Sequence, residues 1–424
     1  MANKRDLTIK RRRHTTDEPD ELPMPDRRVE EDSEKSKSAE KPRRRRRQRS
    51  LIRVLLVRLL LVAAAVTAGV LIWRNWDRLA PAAVSEWVND AVTGGEGGDG
   101  FPVTITGSNV VSMQSMGSQV AVLTDTSLLM YNERGGEIVS RGHTYADPLL
   151  DTSGSYALVA ELGGTRYMLG TKKEALRSDR VSNAILGAAV DSNGSVALAT
   201  ESSRSYMSEV VVVDRTGAET FHWYSVDLTV VDVALSPNGK RVAVLGLSAE
   251  GGEMKSTLLI FRLAGNQTTA EYTYSASGAM MAAVHYYGNG HVAAVGDAAA
   301  WVYDPDSGTA ATVAYDNEVL LGYSFSDRGV GVVTRGFGES GGGTLRVMTP
   351  AGKETAALEF TGDFRHLSAA DNGFYLLTAN ALYNADTAAF ARQTAVAPDG
   401  LQAVSLNGRP LLLSLTALSI CSFD

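Results

Sequence analysis

The chain has 424 residues, 44% of them apolar, enough for one large repeat domain or two to three average ones. A single cysteine, Cys421, excludes an internal disulfide and a cysteine-based zinc site, so packing alone must hold the fold. The net charge of -7 hides an asymmetry: residues 1–50 carry 17 Lys+Arg against 11 Asp+Glu, residues 51–78 four Arg against one Asp, and residues 79–424 carry 20 against 36.

Residues 1–50 are rich in Glu, Asp, Ser, Pro and Arg and nearly devoid of large apolar side chains. Such a segment cannot offset its ordering entropy and is expected to be a disordered cytoplasmic tail. Within it, Thr15 and Thr16 follow Arg11 to Arg13 and precede Asp17 and Glu18, a pattern that resembles a basophilic kinase site.

Residues 51–73, LIRVLLVRLLLVAAAVTAGVLIW, predict one transmembrane helix, since 23 residues at ~1.5 Å each span a bilayer core of roughly 30 Å. Arg58, near the first end, can snorkel to the headgroups. Lys41, Arg43 to Arg47 and Arg49 precede the span and only Arg74 and Arg78 come closely after it, which orients the N-terminus to the cytoplasm. The arginine run lacks interleaved aromatics and abuts the span, so anionic lipid is its expected partner and nucleic acid is not. Cleavage as a signal peptide at Ala80-Pro81-Ala82 is disfavoured by the long charged leader. Residues 74–100 read as a stalk and a Gly-rich linker.

From residue 101 to 424 one pattern recurs: an alternating strand, a Gly-containing turn and a second alternating strand. The turn glycines are Gly117, Gly154, Gly194, Gly239, Gly290, Gly329, Gly373 and Gly408, spaced by 37, 40, 45, 51, 39, 44 and 35 residues. A second hairpin comes after most turns, as in VVVDRTGAETF and WVYDPDSGTAATV. Two hairpins per repeat make a four-stranded blade, and blades in series predict an all-β propeller of about eight blades, with seven as the alternative. The last repeat has room for three strands before Asp424, and FPVTIT (residues 101–106) can supply its fourth, closing the ring through the two termini.

ALSPNGKRVAVLG resembles the turn of WD40 and TolB-type propellers, and VYDPDSGTA that of quinoprotein-type propellers. The layout as a whole resembles uncharacterised single-pass membrane proteins of Gram-positive bacteria with an extracytoplasmic propeller. That resemblance implies the cell membrane and envelope. Neither the repeated Trp-Asp of WD40 repeats nor a quinone-cofactor signature is present in the repeats.

No catalytic, cofactor-binding or metal-ligating set emerges. Gly338-Glu339-Ser340-Gly341-Gly342 fits the spacing of a serine nucleophile elbow and resembles the GESGG of trypsin-like proteases, but strands flank it where an elbow needs a helix. Ser340 is expected at the tip of a Gly-rich hairpin loop. Asp304 to Gly308 approaches a calcium loop, yet its glycine is one position early and Tyr315 stands where the bidentate glutamate belongs. It is expected to be a turn. His285 and His291, six apart, suit no joint ligation and are expected as surface or hairpin residues. His14, His143, His222 and His366 stand alone in sequence.

The run FHWYSVDL presents Phe221 and Trp223 on one strand face and His222 and Tyr224 on the other. It is expected to pack between blades on both faces, or to leave one pair exposed for a partner. The reading is a membrane-anchored extracytoplasmic binding or scaffold module, with an envelope protein or glycan as partner and no cofactor expected. The alternative is a propeller enzyme, a hydrolase, lyase or quinone-dependent dehydrogenase, whose mark would be acidic residues and histidines converging at the central funnel. A purely structural unit would instead show an apolar rim or face.

Overall fold

The computed structural model describes residues 98–423 except 106–108, 266–267, 288–289, 387–391 and 398. The expectations for the tail, the transmembrane helix, the stalk and most of the linker lie outside these residues. Among the described residues no helix is long and apolar enough to cross a membrane.

Eight four-stranded antiparallel sheets form the domain, so the propeller has eight blades. The first strands of successive blades are β2 (Val110–Met116), β6 (Pro148–Ser153), β10 (Ile185–Val190), β14 (Thr229–Leu235), β18 (Met281–Tyr287), β22 (Glu318–Ser326), β26 (Phe364–Ala370) and β30 (Gln402–Leu406). Blades 1 to 7 each take four consecutive strands. Blade 8 is β30, β31 (Arg409–Leu413), β32 (Ala417–Ile420) and, from the other end of the domain, β1 (Val103–Thr104). Val103 pairs with Leu418 and Thr104 with Ala417, which closes the ring by the expected route. The 51-residue spacing before Gly290 reflects β15 (Arg241–Glu250) and β16 (Glu253–Arg262), each ten residues long.

The second strand of each blade is buried on both faces and reads as a nearly unbroken apolar run, QVAVLT in β3 (Gln119–Thr124) and HVAAVG in β19 (His291–Gly296). Alternate residues serve opposite neighbours. Val120 and Val122 pack against Val404 and Leu411 of blade 8, while Ala121 and Leu123 pack toward blade 2, in one cluster with Leu150 and Val159. Eight apolar clusters lie this way among the described residues, one at each junction between adjacent blades. The ring is thus held by the same burial that holds each sheet, and no blade has a core of its own.

Because every blade runs up and down in the same order, two kinds of connection meet at each end of the ring. The turns joining strands 1 to 2 and 3 to 4 lie on one face, here the turn face. The loops joining strands 2 to 3 and the links to the next blade lie on the other, the crossover face. Gly100 N donates to Arg134 O at 2.9 Å, in the turn between β4 (Ser127–Asn132) and β5 (Glu137–Gly142), so the described chain begins on the turn face.

Candidate functional site: the central cavity

The first strand of each blade borders the axis with one edge unpaired, which leaves backbone N–H and C=O groups that need partners. Side chains from neighbouring blades supply many of them. Gln114 Nε2 donates to Leu150 O at 2.8 Å, Val190 N donates to Asp151 Oδ2 at 2.8 Å, and Val284 N donates to Asp232 Oδ2 at 2.8 Å. Ala403 N approaches His366 Nδ1 at 3.4 Å, and Gln402 Nε2 donates to Val111 O at 3.1 Å across the closure. Between blades 5 and 6 the link is aromatic: His285 stacks on Phe325 with centroids 5.1 Å apart.

Six of the eight inner strands shift register once, at Val110/Ser112, Ile185/Gly187, Val230/Asp232, Met281/Ala283, Leu320/Gly322 and Phe364/His366. A bulge inserts one residue and re-aims the side chains after it. Asp232 and His366 are the residues immediately after two of these bulges, which is how both come to line the axis.

The inner strands enclose a cavity of about 670 Å³ whose lining includes Asp151, Asp232, His285, Tyr323, Asp327 and His366. Ser153, Gly154, Pro237 and Asp327 carry the lining up to the turn face. Among the described residues no lysine or arginine contributes to it. Side chains here touch cavity solvent yet are walled in by protein, and the charged forms lose bulk hydration. This enclosure raises Asp151 to about 6 and Asp232 to about 7, with backbone N–H donors acting against the rise in both and the Asp151 charge adding to it at Asp232. The same loss lowers His285 and His366 to about 4 each, so both rings are neutral near pH 7.

His285 and His291 both lie on the β18–β19 hairpin, as expected from their spacing, but the open side of His285 is the cavity and not the outer surface. His285 lies on the inner strand, whereas His291 opens β19 and pairs with Tyr287, with Nε2 3.9 Å from Asp304 Oδ2. The ring brings His285 and His366, isolated in sequence, into one lining with three aspartates. Among the described residues no three His, Cys, Asp or Glu side chains gather as a metal-holding group. The cavity aspartates and Tyr323 escaped the sequence reading. For Asp232 the one signal is a lone polar residue within an apolar inner strand, TVVDVAL, whereas Asp327 lies in the turn after β22.

Ser340 is exposed in the loop between β23 (Gly329–Gly336) and β24 (Gly343–Met348), strand before and strand after, as expected. Asp304 caps its own turn, accepting from Asp306 N at 3.0 Å and Ser307 Oγ at 2.8 Å. In the aromatic run, on β13 (Glu219–Ser225), Phe221 and Trp223 pack on Phe261 of blade 4, at 5.4 and 5.0 Å. His222 and Tyr224 stay half-buried on the opposite side, stacked at 4.4 Å, with Tyr206 4.8 Å from Tyr224. One face packs between blades and the other is partly open.

A second surface feature comes from the connections. The large apolar side chains exposed among the described residues, Tyr323 in the cavity aside, all stand at the crossover end of their strands or in crossover loops. Phe337 (86% exposed), Leu415 (80%) and Val226 (71%) are the most open, joined by Met207 and Met254.

Fold and cavity together define an eight-bladed β-propeller, closed by its own termini around an acidic, aromatic-lined centre. The chain belongs to a family of unknown function, DUF5711, whose model matches residues 102–393. No curated protein matches it. Among solved structures it is similar to a chain of the crystal structure of a mitotic checkpoint complex, at 12% identity and a TM-score of 0.45, covering 76% of this chain and 93% of that one. It is also similar to a chain of the complex of KlAtg21 with the coiled coil of AgAtg16, at 13% identity and a TM-score of 0.41, covering 57% and 82%. At these values neither likeness bears on activity or partner.

Proposed function

We propose that the protein is a membrane-anchored extracytoplasmic propeller that acts as a binding and scaffold module at the cell envelope. The observation that carries the scaffold role is the segregation of exposed apolar side chains onto the crossover face. Apolar groups scattered at random need no explanation, but ones confined to a single face of a rigid ring mark where a partner is covered. The described chain starts on the turn face, at the opposite end of the ring. Anchoring rests on the apolar segment 51–73 and the arginine run before it, which also meets anionic lipid.

The test is cross-linking in intact membranes through a C-terminal tag, with mass spectrometry of the recovered material. An envelope protein or glycan recovered with the wild type and lost with the double substitution Phe337→Ser, Leu415→Ser supports the scaffold. Recovery unchanged by those substitutions sinks it. For the anchor, protease added outside intact cells should digest the propeller and spare residues 1–50.

A second reading, a propeller enzyme with its site at the funnel, is favoured by one observation. Aspartates and histidines from blades 2, 4, 5, 6 and 7 converge on the cavity. Turnover of any envelope substrate that is abolished by Asp151→Asn or Asp232→Asn would establish it over the scaffold.

A further inference from the structure

We propose that the central cavity binds an elongated organic cation bearing two or more amines, a linear aliphatic polyamine in chemical class. This goes beyond the scaffold reading, because it concerns the centre of the ring and not the crossover face.

The lining holds three carboxylates and, among the described residues, no basic side chain. Asp151 and Asp232 each accept backbone N–H groups, and the charge that acts on Asp232 is that of Asp151, an anion like itself. Enclosed carboxylates without a cation are costly, and an amine entering the cavity would relieve that cost.

The wall between them suits the methylene and ammonium parts of such a ligand. Tyr323, 40% exposed, meets Phe325 edge-on at 5.5 Å, and Phe325 in turn carries the His285 ring. Aromatic faces attract ammonium groups and cover aliphatic chain. The lining also includes Ser368, nine-tenths buried, whose hydroxyl has no hydrogen-bond partner among the described residues. The N–H groups of a protonated amine are donors of the kind its oxygen lacks.

Length distinguishes a polyamine from a point cation. Asp232 and Gly322 hold equivalent places, each directly after the bulge of its inner strand, and Asp327 lies five residues beyond Gly322. Asp232 is the middle residue of β14, Asp151 is two residues from the end of β6, and Asp327 lies in the turn beyond β22, so the three carboxylates stand at successive depths toward the turn face. Among the described residues they do not gather into a group that could hold one metal ion, whereas amines spaced along one chain can meet carboxylates at different depths.

The test is isothermal titration calorimetry of the purified full-length chain with spermidine, with butylamine and calcium as comparison probes. Spermidine should saturate one site and bind more tightly than butylamine. Each of Asp151→Asn and Asp232→Asn should weaken it roughly tenfold or more, the loss expected for a charged hydrogen bond. Asparagine keeps an acceptor for the backbone donor, so the ring remains folded. Tyr323→Ala, outside the ring of bridges, should weaken binding by a second route, and Asp306→Asn, on an exposed turn, should leave it unchanged. Absence of saturable binding, an equal loss in Asp306→Asn, or calcium held more tightly than spermidine by the same aspartates would overturn the proposal. Phe337→Ser with Leu415→Ser should not alter the titration, so failure here and failure of the scaffold reading are separable.

Discussion

Asp232 Oδ2 accepts the backbone N–H of Val284 at 2.8 Å, tying the inner strand of blade 4 to that of blade 5. Its other oxygen accepts Val233 N at 2.9 Å. A carboxylate that lines the cavity is therefore also a clasp between blades. Asp232→Ala leaves a donor at an enclosed strand edge without its acceptor and should destabilise the domain by about 1–3 kcal/mol. Denaturant titration measures this, and a wild-type midpoint would show that water replaces the carboxylate at no cost.

The cavity also sets an acid–base balance. Folded Asp232 titrates at about 7 and Asp151 at about 6, both above the unfolded value of 3.8. Across those windows the folded state holds protons that the unfolded chain has released, so their contribution to stability falls as pH rises. His285 and His366 act oppositely. Their folded values of about 4 lie below the unfolded 6.5, so the unfolded chain takes up protons first and stability falls as pH drops from 6.5 to 4. Single substitutions should unmask each half. The stability of Asp232→Asn relative to wild type should rise between pH 4 and 7, and that of His285→Gln should rise as pH falls from 6.5 to 4. Thermal melts across this range give both slopes.

Ring closure rests on a two-residue strand. Leu418, fully buried in the junction between blades 8 and 1, pairs with Val103. Leu418→Ala should cost about 2–5 kcal/mol, the range for a large buried aliphatic. Hydrogen exchange should then rise first in β1 and β32. Exchange that rises uniformly around the ring would mean that closure is not the weak point.

Phe337 and Leu415 are exposed and serve no core cluster, so Phe337→Ser and Leu415→Ser should shift stability by no more than about 0.5 kcal/mol. A larger loss would make them structural and remove the basis for the docking face. Paired with the cross-linking experiment, this separates a lost partner from a lost fold.

Gly329 opens β23 at φ 147°, and a Cβ built there would lie 1.9 Å from Met348 O, on the neighbouring strand. Gly117, at φ 69°, has nothing within 4 Å of that position. Gly117→Ala should therefore cost about 1 kcal/mol from backbone conformation alone. Gly329→Ala must displace backbone as well and should cost more. Equal melting temperatures for the two variants would contradict this.

The blade count, the two hairpins per blade and the closure by FPVTIT were legible in the sequence because each depends on local signals. Turn glycines, apolar alternation and strand length are decided within a few residues, and a blade repeats them. Ser340 could be placed in a loop for the same reason, from the strands on either side. The cavity was not legible. Whether Asp232 or His285 faces the axis, a neighbouring blade or solvent depends on a bulge that shifts the strand by one residue and on the closed ring around it. Asp151 and Asp232 are 81 positions apart, and the pattern of either strand alone predicts no shared enclosure. Their raised pKa values, the neutrality of His285 and His366 and the division of the surface into two faces come from that enclosure and from the common direction of the blades. Local chemistry determined the blades; only their closure into a ring decided which side chains lost their water and which apolar groups kept it.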